Sequence, residues 1–246
     1  MAGEGHKYPP FPKDKFQFTK IPCKEANEIV VAKHYLHRPV YTGRVIAYKV
    51  TMDDCPETGV ITFGFPVFCR KKNLVGPGAP LANGELVDLT RMYMPDGFPY
   101  NTESFVISKS LKMLKGDWHD LTGLTPRAII TMADREFTHQ GTIYKATNFT
   151  HLGFCKGRKA KPGEKHGRWD VGEPSQSTAK NARYNAKNIP GERKEVFLLV
   201  LDSSLKLDIE VLRKSYRQEL PQNPHPSPNG GQHHQGHNDE PVDGQA

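Results

Sequence analysis

Arg127-Ala-Ile-Ile-Thr-Met-Ala-Asp134, followed by Gly141-Thr-Ile-Tyr-Lys-Ala-Thr-Asn148 and closed by Leu152-Gly-Phe154, is the stretch on which the fold turns. Its first segment is near-continuously apolar, which predicts a strand covered on both faces by helices. The strand delivers an acidic side chain, Asp134, to its carboxyl end. Gly141–Phe149 reads as a short helix that carries Tyr144 and Asn148 one turn apart on one face. In an open α/β sheet, ligands bind in the crevice beyond the carboxyl ends of the strands. A carboxylate buried without a partner costs several kcal/mol, so Asp134 is at a strand end, paired, or functional. The pattern predicts an enzyme built around Asp134; the competing account is a structural cap of the turn beside Arg135.

Outward from this stretch, elements alternate. Lys24 to Leu36 has helical apolar spacing (Ala26, Ile29, Val30, Leu36), with Pro39 stopping it. Arg44–Thr51 and Gly59–Phe68 predict strands joined by a turn through Asp53, Asp54, Pro56 and Gly59, and Glu85–Met94 predicts another strand. Asn101 or Thr102 can cap the helix that follows, with Glu103 favouring its positive end. Ile107, Ser110, Leu111 and Leu114 share the core face of that helix. Glu195–Leu201 is a late buried strand, and Ile209–Tyr216 forms a last helix. The order describes an α/β protein with a mixed central sheet flanked by helices and an antiparallel front half.

The chain has 246 residues, a formal charge of +7 and 36% apolar residues, which fits one domain with polar ends. Residues 1–20 read as an extended basic arm, residues 21–218 as a single catalytic domain with a basic loop at 156–194, and residues 219–246 as a disordered tail. The basic balance favours a polyanionic partner, nucleic acid first. The four cysteines (Cys23, Cys55, Cys69, Cys155) include no C-x-x-C pair, which argues against a zinc ribbon or a secreted disulfide framework. No signal-peptide pattern and no membrane-length apolar run is present, so a cytoplasmic protein without a membrane partner is expected.

Further candidates lie outside the central stretch. His34 and Tyr35 end the first helix; about 100° separates neighbouring helical residues, so at most one faces a shared pocket directly. Arg91 sits in a core strand, where an arginine must be paired or reach a charged ligand. Asn101, Thr102 and Ser104 stand at a helix start, where backbone N–H groups can hold phosphate. From Lys156 to Arg168 six Lys or Arg face one Glu, and Trp169 follows. Lys156, Arg158, Lys159, Lys161, Arg168, Trp169 and Arg183 suit a loop that rides on phosphates and stacks a base, acting with the lysines at 13–20 as a clamp.

His34-Tyr35, Leu89-Thr-Arg91, Asn101-Thr-Glu-Ser104, Ala133-Asp134 and the Gly141–Asn148 segment before Leu152-Gly153 together resemble the phage Mom family. These proteins convert adenine in DNA to its N6-carbamoylmethyl form. Ala146–Phe154 also resembles the helix-to-strand motif of the acyl-CoA N-acyltransferase (GNAT) superfamily. The resemblance spans residues 20–160. It implies a GNAT-like fold, an acetyl-CoA or related acyl-CoA donor, adenine in duplex DNA as acceptor, and an iron centre for which Tyr35 and Asp134 are the candidate ligands. Carried over, the catalytic positions would be His34, Tyr35, Ser104, Asp134 and Tyr144. Arg91, Asn101, Thr102 and Asn148 would hold the cofactor. The chain departs from the superfamily at Pro95-Asp-Gly-Phe-Pro99, where a glycine-rich pyrophosphate loop is usual. It departs again at Phe149, where many members place a tyrosine acid. Two other readings stay open: an N-acyltransferase acting on RNA, a modified pyrimidine or a small amine, and a non-catalytic basic DNA-binding protein.

Overall fold

Apolar–polar alternation over 45–64, interrupted by Asp53-Asp54, folds as an antiparallel hairpin of β2 (Val45–Met52) and β3 (Cys55–Gly64). The turn is tighter than the sequence suggests, because Pro56 and Gly59 are absorbed into β3 and Asp54 takes a left-handed φ of 67°. Aspartate tolerates that conformation better than most residues. The computed structural model describes residues 10–40, 43–66, 74–75, 78–133, 141–155 and 194–216. Asp134, the basic loop with Lys156, Arg158, Lys159, Lys161, Arg168, Trp169 and Arg183, and the C-terminal tail lie outside the described residues.

The remaining elements are β1 (Phe16–Ile21), α1 (Cys23–Lys33), β4 (Leu86–Tyr93), α2 (Thr102–Thr122), β5 (Ala128–Ala133), α3 (Thr142–Ala146), β6 (Thr150–Phe154), β7 (Glu195–Val200) and α4 (Ile209–Arg213). Among the described residues, seven strands form one sheet in the order β1-β2-β3-β4-β5-β7-β6. Every neighbouring pair is antiparallel except β4 with β5. Helices α2 and α3 cover one face over Ile61, Phe63, Leu89 and Ile129. On the other face α1 packs Ala26 and Val30 on Ala47 and Val60, and α4 places Leu212 over Ile130 and Leu198. Trp118 of α2 is fully buried, with its indole N–H donating to the Gly84 carbonyl at 2.8 Å.

One sequence expectation is corrected here. Residues 16–21 are no arm: β1 pairs along its whole length with β2, and Phe16 is buried against Phe11, Phe98 and Phe105. Two lysines expected to clamp nucleic acid are engaged internally, Lys15 with Asp54 at 2.9 Å and Lys20 with Asp117 at 2.7 Å. The period-two placement of Phe16 and Phe18 is the strand signal that composition obscured.

The edge of the sheet where β4, β5 and β7 begin or end is clamped by charge. Arg127 reaches Asp202 at 2.7 Å and Glu85 at 3.7 Å. Backbone bonds also run from Arg127 and Ala128 to the Glu85 carbonyl and from Leu201 and Asp202 to that of Arg127. Hydrogen bonds from Ser204, then the Arg127 guanidinium, hold the Asp202 carboxyl down at about 2, against an ordinary value of 3.8. A carboxyl lower in the folded than in the unfolded chain contributes stability above its ordinary range and loses it as pH falls through the folded value. Asp202→Asn should therefore flatten the fall in stability between pH 3.8 and about 2, read by denaturant unfolding across that window.

Candidate functional site

The parallel pair β4–β5 is joined at three positions only: Leu86 with Ala128, Val87 with Ile129 and Asp88 with Ile130. Beyond them each strand follows its other neighbour, β4 staying with β3 as far as Tyr93 and β5 with β7 as far as Ala133. The final link is a side chain, with the Thr131 hydroxyl donating to the Leu89 carbonyl at 3.1 Å. A bulge at Thr90 re-aims β4 where the strands part. Leu89, opposite Phe63, packs toward α2, whereas Arg91, opposite Thr62 and in line with Ala47, emerges on the α1 face. The Thr62 and Thr90 hydroxyls, 2.7 Å apart, hydrogen-bond across the bulge.

The parting opens a cavity of about 540 Å³ lined from both faces of the sheet. That lies within the roughly 300–1,000 Å³ typical of small-molecule sites. His34, Tyr35, Arg91 and Tyr144 all line it, so the structure brings together four residues singled out in the sequence. Ala133, directly before Asp134, lines it too. The sequence expectation for His34 and Tyr35 assumed that both are helical. The structure ends α1 at Lys33 and sets His34 in an extended conformation (φ −76°, ψ 137°), and both residues line the cavity. Their rings stack at 4.2 Å with planes 28° apart. His34 is buried, and its Nδ1 accepts the Leu36 amide at 3.1 Å. In the neutral ring this places the proton on Nε2, which then donates.

Tyr144 is buried at the α3 side, its ring 5.6 Å from Phe149 and 5.4 Å from Phe197. Asn148 does not share its face. Helix α3 ends at Ala146, and Asn148 is exposed with φ 66°, away from the cavity lining. Ser104, Asn101 and Thr102 do not line the cavity either. The Thr102 hydroxyl donates to the Pro99 carbonyl at 2.6 Å, and Asn101, with φ 70°, makes no side-chain cap. Sequence reasoning missed Lys33 and Asp96 as wall residues, since each is an ordinary charged residue until the sheet splits beside it, whereas Lys194, read as the end of the basic loop, borders the wall as well. Glu103 was read only as a helix-end charge, and it also reaches the wall.

Among the described residues, no group of three His, Cys, Asp or Glu side chains gathers as a metal site. Of the two candidate iron ligands, Tyr35 lines the cavity and Asp134 lies outside the described residues. No described helix is long and apolar enough to cross a membrane.

Fold and cleft define a class: a mixed α/β protein whose central sheet splits between two parallel strands around a cavity. Within that class, the chain belongs to the Mom protein family, whose profile matches residues 15–228. It is 27% identical over 142 residues to the methylcarbamoylase mom of Escherichia phage Mu, covering 54% of this chain and 52% of that protein. The chain thus spans about half the length of that curated relative. Among solved structures it is similar to Arabidopsis thaliana NAA60 in complex with acetyl-CoA (TM-score 0.47, 11% identity, covering 76% of this chain and 98% of that one). It is also similar to yncA of Salmonella typhimurium with its cofactor acetyl-CoA (TM-score 0.43, 10% identity, 77% and 95% covered). A third is the spermidine/spermine N-acetyltransferase SpeG of Vibrio cholerae (TM-score 0.41, 7% identity, 76% and 94% covered).

Gly141 sets the wall that carries Tyr144. Its φ is +65°, and a Cβ there would overlap the Phe197 ring. Gly141→Ala combines backbone strain with overpacking and should cost about 2–4 kcal/mol in thermal or denaturant unfolding. Gly116→Ala in α2, where an added Cβ meets nothing within 4 Å, should instead stabilise by about 0.5–1 kcal/mol.

Proposed function

We propose that this chain is a DNA-modifying transferase that places an acyl-derived group, carbamoylmethyl or a relative of it, on the N6 amine of adenine, using an acyl-CoA donor. The observation that carries the reading is the split-sheet cleft itself, in which His34, Tyr35, Arg91 and Tyr144 meet, in a chain of the Mom family. The mom protein of phage Mu is named as a methylcarbamoylase, and the similar NAA60 and yncA structures hold acetyl-CoA.

The cleft suits the narrow arm of such a donor. From Leu89 onward the edge of β4 toward β5 is no longer paired with that strand, so an extended amide-bearing chain can lie along it as an added strand would. When bound, the donor would supply the acyl-derived carbons to be joined to N6. Tyr35, backed by the stacked His34 ring, gives a stiff platform for a base drawn out of the duplex. Unstacking costs a few kcal/mol, and stacking on an aromatic ring returns about 1–3 kcal/mol.

The adenine N6 lone pair is delocalised into the ring, so the amine needs help to react. In this proposal Asp134, following Ala133 at the cavity wall, orients the amine and takes its proton. His34 Nε2–H donates to an oxygen or ring nitrogen facing it. Tyr144, held by Phe149 and Phe197, closes the opposite wall. The basic loop 156–194 is proposed to grip the DNA backbone, with binding that weakens steeply with salt.

Mass analysis of nucleosides from DNA of cells expressing the full chain tests this. A new adenine-derived nucleoside is expected, falling at least about a hundredfold with Asp134→Ala or Tyr35→Ala. A modified RNA base or pyrimidine would move the acceptor to the N-acyltransferase alternative. Unchanged nucleosides with intact DNA binding would leave a binding protein.

A further inference from the structure

We infer that phosphate binds this cleft on the α1 face, at Lys33 and Arg91, and not at the N-terminus of α2. The inference rests on the proposed transferase reading only in supplying the two sources of that phosphate, the donor and the nucleic acid.

A helix start that opens onto a ligand cleft is the usual place to seat a diphosphate, because unbonded backbone N–H groups and the helix dipole converge there. Part of those resources is committed in the β4–α2 connection of this chain. Pro95 and Pro99 have no N–H to offer. The amides of Phe98 and Thr102 are spent on the Pro95 and Pro99 carbonyls at 3.1 and 3.2 Å. The Thr102 hydroxyl is spent on the Pro99 carbonyl as well.

What this end presents to the cavity is negative. Asp96 and Glu103 both line it, and Glu103, in the first turn of α2, already occupies the dipole's positive end. The field there is felt by Tyr93, whose phenol is pushed up by burial first and then by Glu57 and Asp96. A dianionic group placed at this end would meet two carboxylates.

The described lysines and arginines on the wall are Lys33, Arg91 and Lys194, and the first two lie on the α1 face. Lys33 is the last residue of α1 and is exposed. Arg91 is turned to the same face by the Thr90 bulge, its Nη1 anchored on the Thr90 carbonyl at 2.6 Å. That bond orients the group. A flexible ammonium and an oriented guanidinium on the wall of one cavity are a suitable pair for a phosphate. Without the bulge, Arg91 would point toward α2 and the cleft would have no such mouth.

Binding of coenzyme A, of pantetheine (which lacks the nucleotide phosphates) and of a short adenine-containing duplex to the full chain separates the possibilities. Lys33→Ala should weaken coenzyme A or the duplex about tenfold and lower the salt dependence of that binding by about one charge, with pantetheine unchanged. Lys33→Arg should retain binding. Asp96→Asn with Glu103→Gln should shift no affinity more than about twofold.

A loss confined to coenzyme A assigns the phosphate to the donor, and a loss confined to the duplex assigns it to the nucleic acid; either supports the inference. Unchanged binding of both in Lys33→Ala overturns it. So does a tenfold gain for coenzyme A in the double variant, or wild-type protein that binds neither probe. A wild-type chain that binds the duplex through Lys33 but ignores coenzyme A would keep this inference while removing the acyl-CoA donor.

Discussion

Three residue pairs hold β4 to β5, and the end of that pairing organises the rest of the protein. A parallel pair is slightly weaker per residue than an antiparallel one, so the seam is a natural place for a sheet to open. It opens without unravelling because each strand keeps a stronger partner on its outer side, β3 for β4 and β7 for β5. The Arg127–Asp202–Glu85 cluster fixes the closed end, and the Thr131 hydroxyl ends the seam at Leu89. What results is a rigid wedge whose walls are strands, a better support for precise chemistry than loops.

The wedge separates charge as well as space. A single extra residue at Thr90 rotates Arg91 to the face where α1 delivers Lys33, His34 and Tyr35. The connection to α2 meanwhile brings Asp96 and Glu103 to another part of the same cavity. An imidazole and two tyrosines lie within this field, Tyr144 braced by Phe197 and Tyr35 by His34. A substrate that is itself an anion carrying an aromatic base would be oriented by such a cavity through its charge and through its ring. That is the sense in which fold and proposed function agree.

Much of this was legible in the chain. The apolar run before Asp134, the alternating hairpin and the helical spacing of 102–122 each follow from side-chain period, which local sequence expresses directly. The family resemblance carried by short dispersed motifs also survived, since the profile covers 15–228. Other readings failed for physical reasons. Asn148 was placed on a helix that stops two residues earlier, and β1 was hidden among lysines and prolines whose composition outweighed its pattern. His34 and Tyr35 were denied a common pocket because the chain was taken to remain helical through them.

By itself, the sequence determined most element types and core faces and singled out the candidate side chains, because these depend on periodicity and on residue chemistry within a few positions. Only the tertiary structure decided where β4 and β5 part, that a bulge turns Arg91 toward α1, and that Lys33, Asp96, Glu103 and Lys194 border one cavity. Those facts depend on which strand each segment pairs with, and pairing joins residues far apart in the chain through backbone groups that every residue type shares.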